Sequence, residues 1–267
     1  MIKIEDLLHA AINASLKGGE EILKVYDSDF AVEHKADNSP LTLADKNAND
    51  TICKMLINTN FPVLSEEGKT IPYTERSQWK YFWMVDPLDG TKEFIKRNGE
   101  FTVNIALIHQ QKAILGVIYV PATRMLYFAA EGIGSFRFEI GSLKSEIGNL
   151  NTLIASSQKL PIIDLKNKFT VVASRSHLSE ETEQFIAGLK TVHKELDFIS
   201  SGSSIKLCLV AEGKADVYPR FAPTMEWDTA AGQAICEVAG KQVIDYKTNT
   251  KLLYNKENLL NNWFIVQ

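Results

Sequence analysis

Residues 81–91 contain the stretch that decides the fold and the chemistry, Tyr81-Phe82-Trp83-Met84-Val85-Asp86-Pro87-Leu88-Asp89-Gly90-Thr91. The apolar run from Tyr81 to Val85 predicts a buried strand that ends at Asp86. A second carboxylate, Asp89, follows in a segment marked by proline and glycine, which favours a turn. Carboxylate oxygens suit Mg²⁺, which takes one or two carboxylates together with water and substrate phosphate. The stretch therefore predicts a metal and phosphate site, although Asp-Pro and Asp-Gly also occur in ordinary turns.

Other stretches carry acids in comparable settings. They are Glu66 and Glu67 after the short apolar run at 61–64, Asp37 and Asp45 around a loop, and Asp228 at the head of an Ala-rich helix. Several acids that converge in space favour a metal site over isolated surface charges. Simpler roles remain open for four of them: Asp37 as a loop cap, Glu66 or Glu67 as a solvated turn residue and Asp228 as a helix cap.

Bulk properties describe an ordinary globular protein. The 267 residues are 45% hydrophobic and 23% charged, enough for one large or two moderate domains. The net charge of −4 argues against a broad surface for a nucleic-acid polymer. We find no spanning apolar segment and no basic-then-apolar leader, and the widely spaced Cys53, Cys208 and Cys236 are typical of free thiols in a reducing compartment. These features favour a cytoplasmic protein.

Hydrophobic patterning changes along the chain. Helices are predicted over 2–26 and from Thr42 to about Asn58, and an antiparallel meander over 101–108, 113–120, 125–130 and 135–138. The region 139–168 looks irregular. Strands and helices then alternate, at 169–173, 180–189, 196–199, 203–212, 215–218 and 228–239. We therefore expect an N-terminal α+β half over 1–160 with the antiparallel sheet and most metal ligands. A C-terminal α/β half over 161–267 would carry the substrate-binding residues and Asp228.

The acid-bearing stretches, taken together, resemble the Mg²⁺-dependent, lithium-sensitive phosphatase superfamily typified by inositol monophosphatase. The matching pieces are Leu64-Ser65-Glu66-Glu67, Asp86-Pro87-Leu88-Asp89-Gly90-Thr91, Glu226-Trp227-Asp228-Thr229-Ala230-Ala231-Gly232 and the segment 37–45. The resemblance implies an α+β fold, a layered αβαβα sandwich, and two or three bound Mg²⁺ ions.

A closer resemblance is to the bacterial 3′(2′),5′-bisphosphate nucleotidase subfamily of the CysQ type. The stretches that carry it are residues 91–104, Ser174-Arg175-Ser176-His177, Gly202-Ser203-Ser204-Ile205-Lys206, and Val210-Ala211-Glu212-Gly213 through Tyr218-Pro219-Arg220. Enzymes of this type hydrolyse 3′-phosphoadenosine 5′-phosphate to AMP and phosphate, which clears a by-product of sulfate assimilation. The resemblance thus implies a hydrolase that acts on a small nucleotide bisphosphate.

The resemblance also implies roles for particular residues. Glu66, Asp86 and the Leu88 carbonyl correspond to ligands of the first ion, and Asp86, Asp89 and Asp228 to ligands of the second. Thr91 corresponds to the residue that orients the attacking water, with Asp37 accepting its proton and Glu66 also in the catalytic set. Substrate contacts are implied for Glu66, Leu88, Asp89, Gly90, Thr91, His177, Ser203, Lys206, Arg220 and Asp228. His177 as a turn cap, Lys206 as a solvated helix residue and Arg220 as a surface charge remain alternatives.

Other functions stay open at this stage. An inositol monophosphatase or a sugar bisphosphate phosphatase of the same superfamily is the nearest alternative. A haloacid-dehalogenase type of phosphatase needs Asp-x-Asp-Gly-Thr, and the two acids here are one residue further apart. A non-catalytic nucleotide sensor is a third. The sequence leaves open a monomer or a homodimer, and a loose association with the inner face of the cell membrane.

Overall fold

The computed structural model describes residues 3–28, 43–141, 146–162, 168–173 and 179–267. Within them the helices are α1 Ile4–Tyr26, α2 Leu43–Leu56, α3 Tyr73–Arg76, α4 Thr91–Ile95, α5 Leu150–Ser156, α6 Glu180–Val192, α7 Ile205–Glu212 and α8 Glu226–Val238. The strands are β1 Val63–Ser65, β2 Tyr81–Asp89, β3 Thr102–His109, β4 Lys112–Val120, β5 Met125–Ala130, β6 Gly134–Glu139, β7 Gln158–Lys159, β8 Phe169–Ala173, β9 Leu196–Ser200, β10 Tyr218–Arg220, β11 Val243–Asp245 and β12 Phe264–Val266.

The first seven strands form one sheet in chain order. Strands β1 and β2 run parallel, and every later neighbour in this sheet is antiparallel. The meander predicted from the sequence is therefore confirmed, and β5 has the bounds that were expected. The two parallel strands end at the same edge of the sheet, which places the residues that follow β1 beside those of β2.

Both faces of the large sheet are buried, so its strands are nearly continuous apolar runs. Along β3, Val103, Ile105 and Leu107 belong to one core, whereas Ala106 and Ile108 belong to the other. The amphipathic helices α1 and α2 cover the first face, and α7 and α8 cover the second.

Two smaller sets of strands and helix α6 complete the layers. Strands β10, β12 and β11 form one sheet, β8 and β9 pair in parallel, and a bridge between Val171 and Val217 connects the two sets. Helix α6 packs on the outer face through Ile186. The chain therefore has the expected α+β class and αβαβα layering. The division into halves 1–160 and 161–267 stays a prediction.

Strand β2 continues beyond the point where the sequence predicted its end. It pairs with β3 up to Asp86, the register shifts, and pairing resumes between Asp89 and Thr102. Pro87 lacks an N–H for the ladder, so the segment between the two acids forms a bulge rather than a chain-reversing turn. The prediction that the strand ends at Asp86 was wrong for this reason.

Two further boundaries differ from the sequence-based expectation. The strand expected over 215–218 lies at Tyr218–Arg220, because Asp216 N and Val217 N both donate to Thr170 O and tie the preceding residues to β8. The region 139–168, expected to be irregular, contains α5 and β7 among its described residues. Such short elements lack the length that makes a periodic pattern visible.

Helix α8 approaches the sheet more closely than a side chain at residue 116 would allow. A Cβ atom built on Gly116 would lie 2.2 Å from Ala231 O. Glycine in β4 and small residues in α8 therefore let the helix backbone rest on the sheet, which fixes the position of Asp228 at the start of α8.

None of the helices in the described residues has the length and hydropathy needed to span a bilayer.

Candidate metal and phosphate site

The bulged end of β2 presents two carboxylates. Leu88 N donates to Asp86 Oδ1 at 3.1 Å, which holds the Asp86 side chain inside the bulge. Gly90 then takes φ +93°, and a Cβ there would lie 3.1 Å from Glu100 O, so both conformation and space require glycine. The Thr91 hydroxyl reaches Leu88 O at 3.5 Å.

Glu66 reaches the same place from the neighbouring strand. It follows β1 directly, and its N–H donates to Val85 O at 3.1 Å. Because β1 and β2 are parallel, their ends bring Glu66 beside Asp86 although twenty residues separate them in the sequence.

Asp228 comes from the opposite side of the sheet, in the first turn of α8. Its Oδ2 accepts a hydrogen bond from Met225 N at 2.8 Å, which is the helix-capping role considered from the sequence. The cap also holds the carboxylate in a fixed orientation, so capping and metal binding are compatible.

Three of the four predicted metal-binding carboxylates converge. One oxygen each from Glu66, Asp86 and Asp228 can be chosen so that all lie within 4.8 Å of one another. Asp89 lies beside this group, and its Oδ2 accepts a hydrogen bond from Ser204 N at 2.6 Å.

Burial and mutual repulsion make these acids hard to ionise. Burial, followed by the charge of Glu66, raises the pKa of Asp86 well above its usual range. Burial raises the pKa of Glu66 to about 7, and burial together with the Asp89 charge raises the pKa of Asp228 to about 8. Across the described ranges, no lysine or arginine forms an ion pair with any of these carboxylates.

This donor set fits a hard divalent cation. Its ligands are carboxylate oxygens, it holds several negative charges in a small volume, and the protein supplies no cation that pairs with them in the part of the chain described here. Oxygen donors of this kind match Mg²⁺ rather than a soft metal.

A cavity of about 490 Å³ opens next to the acids. The predicted substrate residues that line it are Asp89, Gly90, Ser203, Lys206, Arg220 and Asp228. The structure therefore brings these six together beside the acid cluster. Asp37 and His177 lie outside the described residues.

Lys206 is buried, so its interpretation as a solvated helix residue was wrong. Its Nζ donates to Ser203 O at 2.5 Å and Ser201 O at 3.4 Å, and it lies 5.6 Å from the centre of the Tyr218 ring. Burial lowers its pKa to about 8, while the Asp89 charge opposes that shift. Arg220 donates through Nη2 to Pro223 O at 3.0 Å and lines the same cavity.

The sequence analysis missed several residues of the site. Asp45, named from the sequence only as one of two acids around a loop, is 5% exposed, and its charge contributes to the raised pKa of Asp86. Lys92, Glu93, Lys96 and Glu100 line the cavity as well. All four stand in the stretch 91–104 that carried the subfamily resemblance, but their residue types alone look like a solvated surface.

Comparisons with known proteins show the family of this chain. The model of the inositol monophosphatase family matches residues 3–265. The chain is 43% identical over 267 residues to the 3′(2′),5′-bisphosphate nucleotidase CysQ of Salmonella typhimurium, covering 98% of each protein. It is 42% identical over 264 residues to the enzyme of the same name from Escherichia coli strain K12, covering 97% of this chain and 99% of that one.

A solved structure shares the whole fold. The crystal structure of CysQ from Bacteroides thetaiotaomicron superposes with a TM-score of 0.92 at 56% sequence identity, covering 98% of this chain and 97% of that one. That structure is described as a bacterial member of the inositol monophosphatase family. This chain therefore belongs to the inositol monophosphatase family, whose members are metal-dependent phosphatases that typically use Mg²⁺.

Proposed function

We propose that this chain is a 3′(2′),5′-bisphosphate nucleotidase that hydrolyses 3′-phosphoadenosine 5′-phosphate to AMP and phosphate. One observation carries the proposal: Glu66, Asp86 and Asp228 converge beside a cavity that also contains Lys206 and Arg220. Acidic side chains that can bind metal ions therefore lie next to basic side chains that can bind phosphate. The name of the relative at 43% identity supports a bisphosphate nucleotide as the substrate.

The acid cluster holds two or three Mg²⁺ ions in this proposal. Glu66, Asp86 and the Leu88 carbonyl would serve one ion, and Asp86, Asp89 and Asp228 another. Bound Mg²⁺ would lower the pKa of a coordinated water and neutralise the charge of phosphoryl oxygens.

The chain's own groups move the proton and orient the attack. Thr91 directs the attacking water, and its hydroxyl passes a proton to an acid, with Asp37 the residue implied by the resemblance. Asp45 is a second candidate because it is buried and its charge reaches Asp86. General base catalysis of this kind contributes about 10²–10⁴-fold.

Cationic groups hold the rest of the substrate. Lys206 and Arg220 bind phosphate oxygens, since both line the cavity and are near the acids whose pKa values they shift. Ser203 adds a hydroxyl from a loop residue at φ +44°, and His177 stays a predicted nucleotide contact.

Phosphate release from a panel of substrates tests the function. We expect 3′-phosphoadenosine 5′-phosphate to be hydrolysed faster than inositol 1-phosphate and a sugar bisphosphate, only with Mg²⁺, and less with added Li⁺. Preference for inositol 1-phosphate would assign the alternative activity. Tight nucleotide binding without phosphate release would assign the sensor, and a trapped phospho-aspartate at Asp86 the dehalogenase-type chemistry.

Two substitutions identify the proton acceptor. Asp37→Asn and Asp45→Asn each replace a carboxylate with a neutral amide of similar shape. The variant that lacks the acceptor should lose about 10²–10⁴-fold in kcat. If kcat falls only slightly and equally in both variants, neither acid is the proton acceptor.

The remaining expectations stay predictions. They are the cytoplasmic location, the part in sulfur metabolism, the loose membrane association, and the choice between monomer and homodimer.

A further inference from the structure

A buried chain of hydrogen bonds connects strand β3 to the beginning of α7. The Ser204 hydroxyl donates to Asn104 Oδ1 at 2.7 Å, and the Thr102 hydroxyl lies 2.8 Å from the Ser204 hydroxyl. Because the single hydroxyl proton of Ser204 goes to Asn104, Thr102 is the donor in the second bond. All three side chains are at most 2% exposed. The hydrogen bonds therefore run in one direction, from Thr102 through Ser204 to Asn104.

The chain of hydrogen bonds ends on the Asp89 carboxylate. Asn104 Nδ2 donates to Asp89 Oδ2 at 3.5 Å, and the backbone N–H of Ser204 donates to the same oxygen at 2.6 Å. A carboxylate oxygen has about two lone-pair sites, so these two donors occupy Oδ2. In the parts of the chain that the structure describes, no hydrogen bond reaches Asp89 Oδ1. Oδ1 is therefore the oxygen that remains for a cation.

The register of the large sheet explains why these polar residues lie beside the acids. Across the bulge, Asp86 pairs with Asn104 and Asp89 pairs with Thr102. Alternation along β3 places Thr102 and Asn104 on the face of the strand that α8 covers. Polar groups buried at the end of such an apolar face cost free energy unless they are hydrogen-bonded. Their bonds to each other and to Asp89 offset that cost.

Ser204 does not have the usual role of a serine at its position. It is the N-cap residue of α7, where a serine hydroxyl ordinarily accepts a hydrogen bond from an N–H of the first helical turn. Among the described residues of this helix, no backbone N–H donates to the Ser204 side chain. The hydroxyl bonds to Asn104 instead, so it contributes to the connection with Asp89 rather than to the helix end.

We propose that Asn104 and Ser204 are positioning residues that direct Asp89 Oδ1 toward a bound Mg²⁺ ion. Both act through Asp89 and not by contact with the ion. Substitution of residues that orient a metal ligand typically weakens metal affinity by about ten- to a hundredfold. The inference rests on the proposed function, because that proposal places Asp89 among the ligands of an ion.

Thermal unfolding over a series of Mg²⁺ concentrations tests the inference without a substrate. We would compare the unaltered protein with Asn104→Leu, which replaces the amide by an apolar side chain of similar size. The apparent Kd of Mg²⁺, obtained from the rise of Tm with concentration, should increase by about ten- to a hundredfold. Ser204→Ala removes the hydroxyl but keeps the backbone N–H, so its apparent Kd should increase by less. A purely structural role would lower the Tm of the metal-free protein and leave this Kd unchanged.

Two substitutions at Thr102 test the far end of the hydrogen-bond chain. Thr102→Val removes the hydroxyl at nearly constant shape, and it should raise the apparent Kd of Mg²⁺ by up to about fivefold, the equivalent of one hydrogen bond. Thr102→Ser keeps the hydroxyl and should restore the Kd of the unaltered protein. This pair also tests the inference if Asn104→Leu does not fold.

Ser135→Ala is the matched control. The Ser135 hydroxyl is buried and donates to Ile235 O at 3.0 Å, toward the opposite end of α8 from Asp228. The control should keep the apparent Kd of the unaltered protein. An unchanged Kd in both Asn104→Leu and Ser204→Ala overturns the inference, and so does an equal increase in the control. Absence of any stabilisation of the unaltered protein by Mg²⁺ contradicts it as well.

Turnover separates this inference from the proposed function. If the unaltered protein releases no phosphate from 3′-phosphoadenosine 5′-phosphate, the function is contradicted, whereas a raised Kd in the variants still supports the positioning role. If it does release phosphate, the Mg²⁺ concentration for half-maximal rate should rise in Asn104→Leu, with a smaller change of kcat at saturating Mg²⁺. A fall in kcat with an unchanged Mg²⁺ dependence contradicts the inference and leaves the function standing.

Discussion

Glu226 and Asp228 stand two residues apart in the first turn of α8, yet their surroundings differ. Glu226 is fully buried, and its two oxygens accept from Lys256 Nζ at 2.6 Å and Asn255 N at 2.5 Å, among other donors. Asp228 accepts one capping hydrogen bond from Met225 N and lies in the acid cluster with Glu66 and Asp86.

Within one helical turn, Glu226 has the surroundings of a structural residue and Asp228 has the surroundings of a binding residue. A buried carboxylate whose oxygens are matched by the chain's own donors stabilises the fold and needs nothing further. A buried carboxylate grouped with like charges is stable as an anion only if a cation from outside joins it. Glu226 fastens the segment 255–256 to α8, whereas Asp228 belongs to the acid cluster for which we propose metal binding.

The largest expected effect is on the acid cluster. Asp89→Asn keeps an oxygen that can accept from Ser204 N but removes one negative charge. We expect phosphate release to fall by at least about a thousandfold, because charge neutralisation at the phosphoryl group depends on metal binding. The thermal stability of the metal-free variant should not decrease, since the neutral amide relieves repulsion. Near-normal turnover would show that the metal assignment is wrong.

An intermediate effect is expected for the ion pair of Glu226, the other carboxylate of the comparison. Lys256→Met removes the only side-chain cation that pairs with Glu226 in the described residues. Breaking a buried pair leaves an uncompensated charge, so the free energy of unfolding should fall by about 3 kcal/mol in urea denaturation. The folded variant should keep its turnover.

Lys251→Met is the control for that measurement. Lys251 pairs with Glu237 at 2.7 Å, but both side chains are more exposed than Glu226. This pair should contribute less than about 1 kcal/mol. If the two variants lose equal free energy of unfolding, burial does not make the Glu226 ion pair more stabilising than the exposed pair.

A further expected effect is a pH dependence of metal binding. Without metal, burial raises the pKa of Glu66 from 4.5 to about 7 and that of Asp228 from 3.8 to about 8. The folded protein thus binds these protons more tightly than the unfolded chain. Their contribution to stability is fully present below the unfolded values and is lost as the pH rises through about 7 to 8.

Mg²⁺ must displace the same protons. Its apparent affinity should therefore rise between pH 6 and pH 8, by roughly tenfold per pH unit for each proton released. Thermal unfolding at a series of Mg²⁺ concentrations measures this shift at each pH. Equal Mg²⁺ stabilisation at pH 6 and pH 8 would contradict the raised pKa values.

Local patterns predicted most of the fold. The meander follows from apolar runs separated by short turns, and β5 and β8 have the expected bounds. The bulge at Pro87 was missed because register depends on the partner strand, which a single segment does not contain. The sequence left a solvated position open for Lys206 for a similar reason: the carbonyls that satisfy its Nζ and the ring beside it are brought together by the loop and by β10.

The sequence by itself determined the candidate residues and the order of the elements: acids after apolar runs, a glycine after Asp89 and an α+β alternation. Only the tertiary structure decided that Glu66, Asp86 and Asp228 share one site. Their meeting requires a parallel strand pair to align two strand ends and requires Gly116 to admit α8 against the sheet. Residue type sets what a group can bind, but the charge density that attracts a divalent cation arises only from packing between segments distant in the chain.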